Sequence, residues 1–437
     1  MAESKSRSPC FWVPSLYFSQ GIPYVMVMML SVTMYKRLGV SNTDISLFTS
    51  GLYLPWVIKP LWSPLVDITR TKRSWVVAMQ FLVSFTLALA ALSVRGGGFF
   101  KWSLCVFWVM AFASATHDIA ADGLYMLSLS KHQQALWVGV RSTFYRAAMV
   151  VGSGLLVILA GWLEVRFTGP GGNRLAWSCT LLVVAGLFLA FSCWHSAMLP
   201  RPPNDGPVVT HEKLWDEFLA TLGSFFQKPG VGLAVAFMLL YRLDEAQLGR
   251  VATPFLLDDR ELGGLGLDTR HVGLAYGTCG VLALTCGGLL GAFLAAQFGL
   301  KRMLPLMVAA MYLPKVTFLI LATTQPANFA VICGAVAVEQ FGYGIGFTAF
   351  VLYLLYFADG PHKTAHYAIC TGFMALGMMI PGMWSGWLED TIGYKKFFAW
   401  VICSTVPGLV LALRLKIDPQ FGKRAKAVGE AFQPSNA

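Results

Sequence analysis

The chain has 437 residues, of which 56% are hydrophobic and 13% are charged. Soluble globular proteins carry about 25% charged residues, so this composition excludes an ordinary soluble domain and indicates a membrane protein. We attribute the net charge of +11 to Lys and Arg that gather on cytoplasmic loops, so it gives no reason to expect a nucleic-acid partner.

Apolar segments recur from one end of the chain to the other. Each is long enough to cross a hydrocarbon core about 30 Å thick. The pattern predicts an all-α, polytopic protein that lies in a lipid bilayer with about twelve transmembrane helices. These predicted spans are 11–35, 43–66, 73–94, 102–130, 133–165, 174–198, 230–257, 270–298, 302–323, 327–357, 364–388 and 396–415.

The start of the chain and its charge distribution predict the orientation. Lys5 and Arg7 precede a first apolar segment that is longer than a signal peptide, so we expect this segment to remain as an anchor. Lys and Arg are in excess on the loops that share a side with the N-terminus, which predicts that both termini are cytoplasmic. The nine cysteines are scattered without a Cys-x-x-Cys pair, so we expect neither a disulfide framework nor a metal site, and no cofactor.

The longest polar stretch, 199–229, divides the predicted spans into two sets of six. It begins with prolines and continues with apolar residues at helical spacing, which predicts a cytoplasmic linker with a short amphipathic helix. We therefore expect an N-terminal half over 1–198 and a C-terminal half with a basic cytoplasmic tail over 230–437.

The two halves share a short repeat. The tetrapeptide GWLE ends the fifth predicted span at 161–164 and the eleventh at 386–389. A repeat at equivalent places in two six-span halves resembles the internal repeat of major facilitator transporters. In that superfamily the substrate lies between the two six-helix halves, near the membrane midplane. Asp67 beside Arg70 in the loop after span 2 also resembles a loop of that superfamily, and predicts a structural or gating ion pair.

Charged side chains inside the spans are candidates for function, because each costs about 2.5 to 3.5 kcal/mol on insertion scales. The acids fall in spans 4, 7 and 10, which line the central cavity in major facilitator folds. They are Asp118, Asp122, Asp244, Glu245 and Glu339. The bases are Lys59, Arg141, Arg146, Arg242, Arg250 and Lys315.

Helix depths predict two contacts between spans 4 and 5. At about 1.5 Å per residue, Asp122 and Arg141 each lie about 12 Å from the cytoplasmic end, and Asp118 and Arg146 lie about 18 and 20 Å from it. We therefore predict that Asp122 faces Arg141 and that Asp118 faces Arg146. The alternative is that both pairs are fixed salt bridges that only hold the hairpin together.

Two further acids lie near the membrane midplane. Removal of water raises the pKa of a carboxyl group at this depth, and an approaching arginine lowers it again. Such a group can bind a proton from one side of the membrane and release it on the other. Glu245 and Glu339 are the leading candidates for proton coupling, followed by Asp118, with Asp244 beside them. The alternative is a permanent pair with Arg242.

Polar and aromatic side chains in the cavity-forming spans could hydrogen-bond or stack on a sugar. Packing or anchoring at the membrane interface is the alternative for each of them. These candidates for substrate binding are Gln20, Tyr24, Tyr125, Tyr241 and Tyr343.

Several stretches resemble the AmpG-type muropeptide permeases, a family within the major facilitator superfamily. The resemblance covers most of the chain in order. It rests on FSQGIP at 18–23, KPLWSPLVD at 59–67, ASATHDIAADG at 113–123, the Tyr-Arg pair at 145–146, LLYRLDEA at 239–246 and AVEQFGYGIGFTAF at 337–350. His117 stands where the family has Gln, and Asp244 stands where it has Gly.

The resemblance implies a proton-driven importer of the bacterial inner membrane, and we expect it to act as a monomer. Its cargo would be GlcNAc-anhydroMurNAc peptides, carried from periplasm to cytoplasm for peptidoglycan recycling. Arg146 and Arg242 would then neutralise substrate carboxylates, and Gly21 and His117 join the candidates for substrate binding because they lie within the matching motifs.

Other functions remain open at this point. A related importer could carry a siderophore, acetyl-coenzyme A or a simple sugar. A membrane enzyme is disfavoured because the sequence contains no nucleophile and base pair and no HExxH motif. A receptor would leave the repeat and the acids of the cavity-forming spans without a purpose.

Overall fold

The regular secondary structure of the described part of the chain consists of helices. The computed structural model describes residues 8–203, 205, 211–360 and 362–421, except for the side chains at 64, 65, 67, 68, 131, 132, 135, 138, 211–218 and 364. Most of the predicted basic tail, and the side chain of Asp67, lie outside this description. The predicted pair between Asp67 and Arg70 therefore stays a prediction, with Arg70 exposed at the end of its helix.

The helices follow one another through short connections. In chain order they are α1 (Pro9–Arg37), α2 (Asn42–Gly51), α3 (Leu54–Thr69), α4 (Lys72–Arg95), α5 (Phe99–Ser128), α6 (131–166), α7 (Gly172–Met198), α8 (His211–Phe226), α9 (Val231–Leu240), α10 (Leu243–Leu257), α11 (Thr269–Phe298), α12 (Leu300–Thr324), α13 (Phe329–Ala358), α14 (Lys363–Ile392) and α15 (Tyr394–Arg414).

The helices agree closely with the predicted spans. Within the described residues, 10 helices are long and apolar enough to cross a membrane, or 11 if a bent pair that includes Val231–Leu257 counts as one span. The remaining predicted span, 43–66, is formed by the two shorter helices α2 and α3. Pro55 at the start of α3 is compatible with a new helix beginning there, because proline is tolerated in a first turn.

The seventh predicted span is interrupted near its middle. Arg242 leaves helical geometry with φ −110° and ψ 24°, and it caps the start of α10. Asp244 and Glu245 consequently lie in the first turn of a new helix. Unpaired backbone N–H groups in a first turn favour negative charge, so the break provides a local reason for two acids at this depth.

The repeated GWLE motif lies where the two halves of the chain meet. Glu164, near the end of α6, accepts a hydrogen bond from Thr269 Oγ1 at 2.6 Å, at the start of α11. Glu389, near the end of α14, accepts one from Asn42 Nδ2 at 2.6 Å, at the start of α2. Each motif therefore places a glutamate against the first turn of a helix from the other half.

The glycine of each motif permits this close approach. A Cβ atom at Gly161 would lie 2.7 Å from the backbone nitrogen of Arg270, and one at Gly386 would lie 2.0 Å from the carbonyl oxygen of Asn42. Both distances are too short for a real side chain, so a larger residue would force the halves apart at these points.

Other polar contacts join the halves at the same end of the bundle. Lys36 Nζ lies 2.6 Å from Asp258 Oδ1, and Thr43 Oγ1 donates to Asp390 Oδ2 at 2.5 Å. We call this end, which carries Glu164 and Glu389, the GWLE end.

A small cavity lies behind these contacts. A cavity of about 20 Å³ lies between α1, α6, α10 and α11 and is lined by residues that include Met28, Ser153, Thr253 and Tyr276. A space of this size holds about one water molecule. The contacts between the halves at the GWLE end therefore lie over a cavity that is too small for a sugar or a peptide.

Replacing Gly386 by alanine should shift the protein towards a state that is open at the GWLE end. Overpacking costs about 1 to 3 kcal/mol, so the open population should rise at least about fivefold. The measurement is the rate at which an impermeant maleimide alkylates a cysteine introduced at Thr253, resolved by mass spectrometry. Gly334→Ala is the matched control, because a Cβ at Gly334 would meet no atom within 4 Å. Equal alkylation rates in both variants would contradict the role assigned to Gly386.

Candidate functional site

One lysine is buried among three carboxylates in the C-terminal half. Lys315 Nζ lies 2.6 Å from Glu245 Oε2, 3.1 Å from Asp244 Oδ2 and 3.3 Å from Glu339 Oε1. The side chains of Lys315, Asp244 and Glu339 are 0% exposed, and that of Glu245 is 6% exposed. We call these four residues the lysine cluster.

Three local features bring the lysine cluster together. The break before α10 places Asp244 and Glu245 in its first turn. Lys315 ends a short 3₁₀ turn, Leu313–Lys315, which interrupts α12 and has Pro314 as its second residue. Glu339 comes from the middle of α13, where the Nε2 atom of its neighbour Gln340 donates to Glu339 Oε2 at 2.8 Å.

The charges of the lysine cluster do not balance when every group is ionised. One lysine faces three carboxylates, which leaves two negative charges without a direct partner. Neither carboxylate oxygen of Asp244 has a well-directed hydrogen bond within the described residues. An uncompensated buried carboxylate costs several kcal/mol. The geometry therefore favours binding of a further positive charge.

Tyr343 connects the lysine cluster with Arg242. The Arg242 Nη2 atom donates to the Tyr343 hydroxyl, and the Lys315 Nζ atom lies 5.9 Å from the centre of the Tyr343 ring. Arg242 also lies 4.8 Å from the centre of the Phe347 ring, while its buried Nε atom has no hydrogen bond among the described residues. Glu245 forms its ion pair with Lys315. Arg242 is an electrostatic neighbour of Glu245 but forms no ion pair with it among the described residues, so the structure does not show the predicted alternative of a permanent Arg242 pair.

Asp118 lies in the N-terminal half, where it accepts a hydrogen bond from Trp56 Nε1 at 3.1 Å. Gln20 and Lys59 are also neighbours of this carboxylate. Arg146 instead directs Nη1 towards Thr285 Oγ1 of α11, at 3.5 Å. The predicted contact between Asp118 and Arg146 is therefore wrong.

Helix rotation explains why only one of the two predicted pairs forms. Asp118 and Asp122 are four residues apart and share a face of α5, whereas Arg141 and Arg146 are five residues apart and point about 140° away from each other. Arg141 Nη2 lies 2.9 Å from Asp122 Oδ1, as predicted. Tyr17 adds a hydrogen bond to the same oxygen at 3.1 Å, so Arg141 and Tyr17 together hold Asp122 in place.

Aromatic side chains of the N-terminal half lie near Arg242, which belongs to the C-terminal half. The hydroxyls of Tyr24 and Tyr53 are 3.4 Å apart, and the Tyr24 ring meets Trp56 edge to face at 5.4 Å. Both tyrosines are electrostatic neighbours of Arg242. Tyr24, Arg242 and Tyr343 are thus the predicted substrate-binding residues that the fold brings together, with Gln20 beside Asp118.

His117 is placed away from this group. It is buried inside the N-terminal half, where its Nε2 atom lies 3.0 Å from Gln80 Nε2. The same Gln80 side chain contacts His195 Nδ1 at 2.8 Å through its Oε1 atom. His117 therefore belongs to a buried polar network, and the prediction that it contacts substrate is not supported by this position.

Three other candidates for substrate binding are used for packing. The Tyr125 hydroxyl donates to the carbonyl oxygen of Gln134 at 2.6 Å. The Tyr241 hydroxyl donates to the carbonyl oxygen of Gly346 at 3.1 Å, and its side chain is fully buried. A Cβ atom at Gly21 would lie 2.7 Å from the Cβ of Ala148, so Gly21 lets α1 pack against α6.

Lys315 is one of the charged span residues noted in the sequence, but no partner and no role were predicted for it. It lies nine residues from the end of α12 and Glu339 lies ten residues from the start of α13, which corresponds to depths of about 14 and 15 Å. Lys315 and Glu339 thus match in depth in the same way as Asp122 and Arg141 do. No group of three or more His, Cys, Asp and Glu side chains in the described residues is arranged to hold a metal ion.

Solved structures confirm the predicted fold. The protein superimposes on a D-xylose–proton symporter with a TM-score of 0.71 and 13% sequence identity, over 95% of this chain and 98% of that one. It superimposes on an inward-facing, unoccupied bacterial homolog of the human lysosomal transporter Spinster with a TM-score of 0.70 and 13% identity, over 94% and 96% of the two chains. The protein is thus a multi-pass membrane protein with the major facilitator fold.

Sequence comparison then defines the family. Residues 20–251 match the model of the BT1 family, so the chain belongs to the BT1 family. It is also similar to the anhydromuropeptide permease of Escherichia coli K12, with 27% identity over 91% of this chain and 78% of that protein. The protein is a membrane transporter and not an enzyme, and its similarity to AmpG-type permeases is confirmed.

Replacing Lys315 by methionine should destabilise the protein strongly. Removal of one partner from a buried ion pair costs about 3 to 5 kcal/mol, because the other charges remain without compensation. A second substitution, Glu245→Gln, should recover part of this loss. The measurement is thermal unfolding of the detergent-solubilised protein. The control is Lys363→Met, since Lys363 pairs with Asp359 on the surface and such pairs contribute about 1 kcal/mol or less. A double variant no more stable than Lys315→Met would contradict the electrostatic explanation.

Proposed function

We propose that this transporter imports anhydromuropeptides, the GlcNAc-anhydroMurNAc peptides, together with protons. Import would run from periplasm to cytoplasm across the bacterial inner membrane, with both termini cytoplasmic, and would serve peptidoglycan recycling by a monomer. The cargo is proposed from the similarity to the Escherichia coli permease. Proton coupling is proposed from one observation, the burial of Lys315 among three carboxylates.

The charge imbalance in the lysine cluster supports proton binding. Two of its negative charges have no direct counter-charge when all the carboxylates are ionised. A proton on a carboxylate removes the cost of burying one of these charges. We infer that the lysine cluster holds at least one proton while it is dry, and releases it when a conformational change admits water.

Arg242 offers a physical link between substrate and proton. A substrate carboxylate that reaches Arg242 would compete with Tyr343 for its donors and alter the electrostatic field at Glu245. Arg146 supplies a second guanidinium across the interface. Tyr24 and Trp56 present aromatic surfaces and polar edges, which suit a sugar ring. Asp118 remains a second candidate for proton binding, since Trp56 and Gln20 surround it.

The contacts at the GWLE end support alternating access. Under the predicted orientation this end faces the periplasm, so the structure would correspond to a state open to the cytoplasm. Glu164 and Glu389 bind neutral donors of the opposite half. A hydrogen bond to a charged group contributes about 1.5 to 3 kcal/mol. Contacts of this strength can break during a transport cycle.

Glu245→Gln and Glu339→Gln should each abolish accumulation driven by a proton gradient while exchange of substrate across the membrane continues. The reason is that a neutral amide cannot take up and release the coupling proton. The measurement is uptake of labelled anhydromuropeptide by membrane vesicles with an imposed gradient, followed by exchange against unlabelled substrate. Glu261→Gln is the control, because Glu261 is an exposed carboxylate outside the spans.

Two results would overturn the parts of this proposal separately. Undiminished gradient-driven accumulation in both variants would exclude these glutamates from coupling. Absence of anhydromuropeptide uptake by the unmodified protein, with uptake of a sugar, siderophore or acetyl-coenzyme A, would exclude the proposed cargo.

A further inference from the structure

Arg250 is a buried arginine without a carboxylate partner. It lies on α10 and is 4% exposed. Its Nη1 atom donates to the carbonyl oxygen of Met28 at 3.1 Å and to Thr49 Oγ1 at 3.0 Å. Its Nη2 atom donates to the carbonyl oxygen of Thr49 at 3.4 Å. Among the described side chains no acid neutralises this guanidinium.

The hydrogen-bond acceptors of this buried guanidinium come from the other half of the protein. Met28 belongs to α1 and Thr49 to α2, and the guanidinium also lies 5.3 Å from the centre of the Tyr53 ring. Neutral acceptors and an aromatic face compensate an arginine only in part. When the halves separate at the GWLE end, Arg250 would lose these partners together and require new ones.

The position of Arg250 defines what it would then face. The small cavity behind the GWLE end is lined by residues that include Gly249, Thr253 and Met28. Gly249 is the sequence neighbour of Arg250, and Thr253 lies one turn further on α10. Opening of that end would enlarge this cavity into the entrance route. Arg250 would lie on its wall, about 12 Å along the helix axis from Arg242.

We propose that Arg250 binds a carboxylate of the incoming substrate in the state open at the GWLE end, and exchanges it for Met28 and Thr49 on closure. A guanidinium presents two parallel donors that match the two oxygens of a carboxylate. Closure would thus displace the substrate carboxylate towards Arg242, while the acceptors of α1 and α2 replace it. This inference rests on the proposed transport of an anionic peptide.

The test compares labelled anhydromuropeptide that carries free carboxylates with the same compound in which they are amidated. Uptake is measured from each side, with right-side-out and inside-out membrane vesicles. Arg250→Gln should raise the KM of the free acid from the GWLE side about tenfold to a hundredfold, the range for a hydrogen bond to a charged group. The KM of the amidated compound should change little, and so should the KM of either compound from the opposite side.

A second variant makes a prediction in the opposite direction. Thr49→Ala removes one acceptor that holds Arg250 in the closed state, so it should lower the KM of the free acid from the GWLE side. Arg250→Lys, which keeps the charge but not the paired donors, should fall between Arg250→Gln and the unmodified protein.

The outcomes separate this inference from the proposed function. Equal changes in KM for the free and amidated compounds in Arg250→Gln and Thr49→Ala would show that Arg250 only braces the interface, and would overturn the inference while transport stands. Failure of the unmodified protein to transport either compound would instead refute the proposed cargo.

Discussion

The burial of Lys315 against three carboxylates is the interaction on which the central part of the protein depends. It requires the break before α10, which brings Asp244 and Glu245 into a first turn, and the 3₁₀ turn within α12, which presents Lys315. It also requires Glu339 to lie inward from α13. Because Lys315 is the ion-pair partner of all three carboxylates, displacement of any of these elements would leave buried charges with less compensation.

The lysine cluster and the GWLE contacts differ in a way that suits separate tasks. All members of the lysine cluster belong to the C-terminal half, so the halves can move without breaking it. Glu164 and Glu389 instead reach across to the opposite half and must exchange partners when the halves separate. The lysine cluster keeps its charge imbalance while the access of water to it changes. The GWLE contacts determine which end of the protein is closed.

Much of this architecture is predictable from sequence, because long apolar segments have few alternatives in a membrane. The spans, the five acids within them and the contact between Asp122 and Arg141 follow from composition and helix depth. Helix rotation is harder to predict. Depth alone paired Asp118 with Arg146, although Arg146 faces α11 in the structure. The partner of Glu339 was missed because Lys315 comes from the neighbouring helix and was not compared by depth.

The side chains assigned to packing illustrate the same limit. Tyr125 and Tyr241 have the chemistry of sugar-binding residues, yet each hydroxyl donates to a backbone carbonyl inside its own half. His117 has a titratable ring in a cavity-forming helix, but it turns towards Gln80. Sequence gives the chemistry of such residues, whereas the neighbouring helices decide which space they face.

The central claim is that the lysine cluster holds a proton, and infrared difference spectroscopy tests it most directly. The unmodified protein at neutral pH should show the carbonyl stretching band of a protonated carboxyl group. This band should shift or disappear in Asp244→Asn, Glu245→Gln or Glu339→Gln, with Asp118→Asn as the comparison in the N-terminal half. A band that is absent from the unmodified protein, or identical in all three variants of the lysine cluster, would contradict the claim.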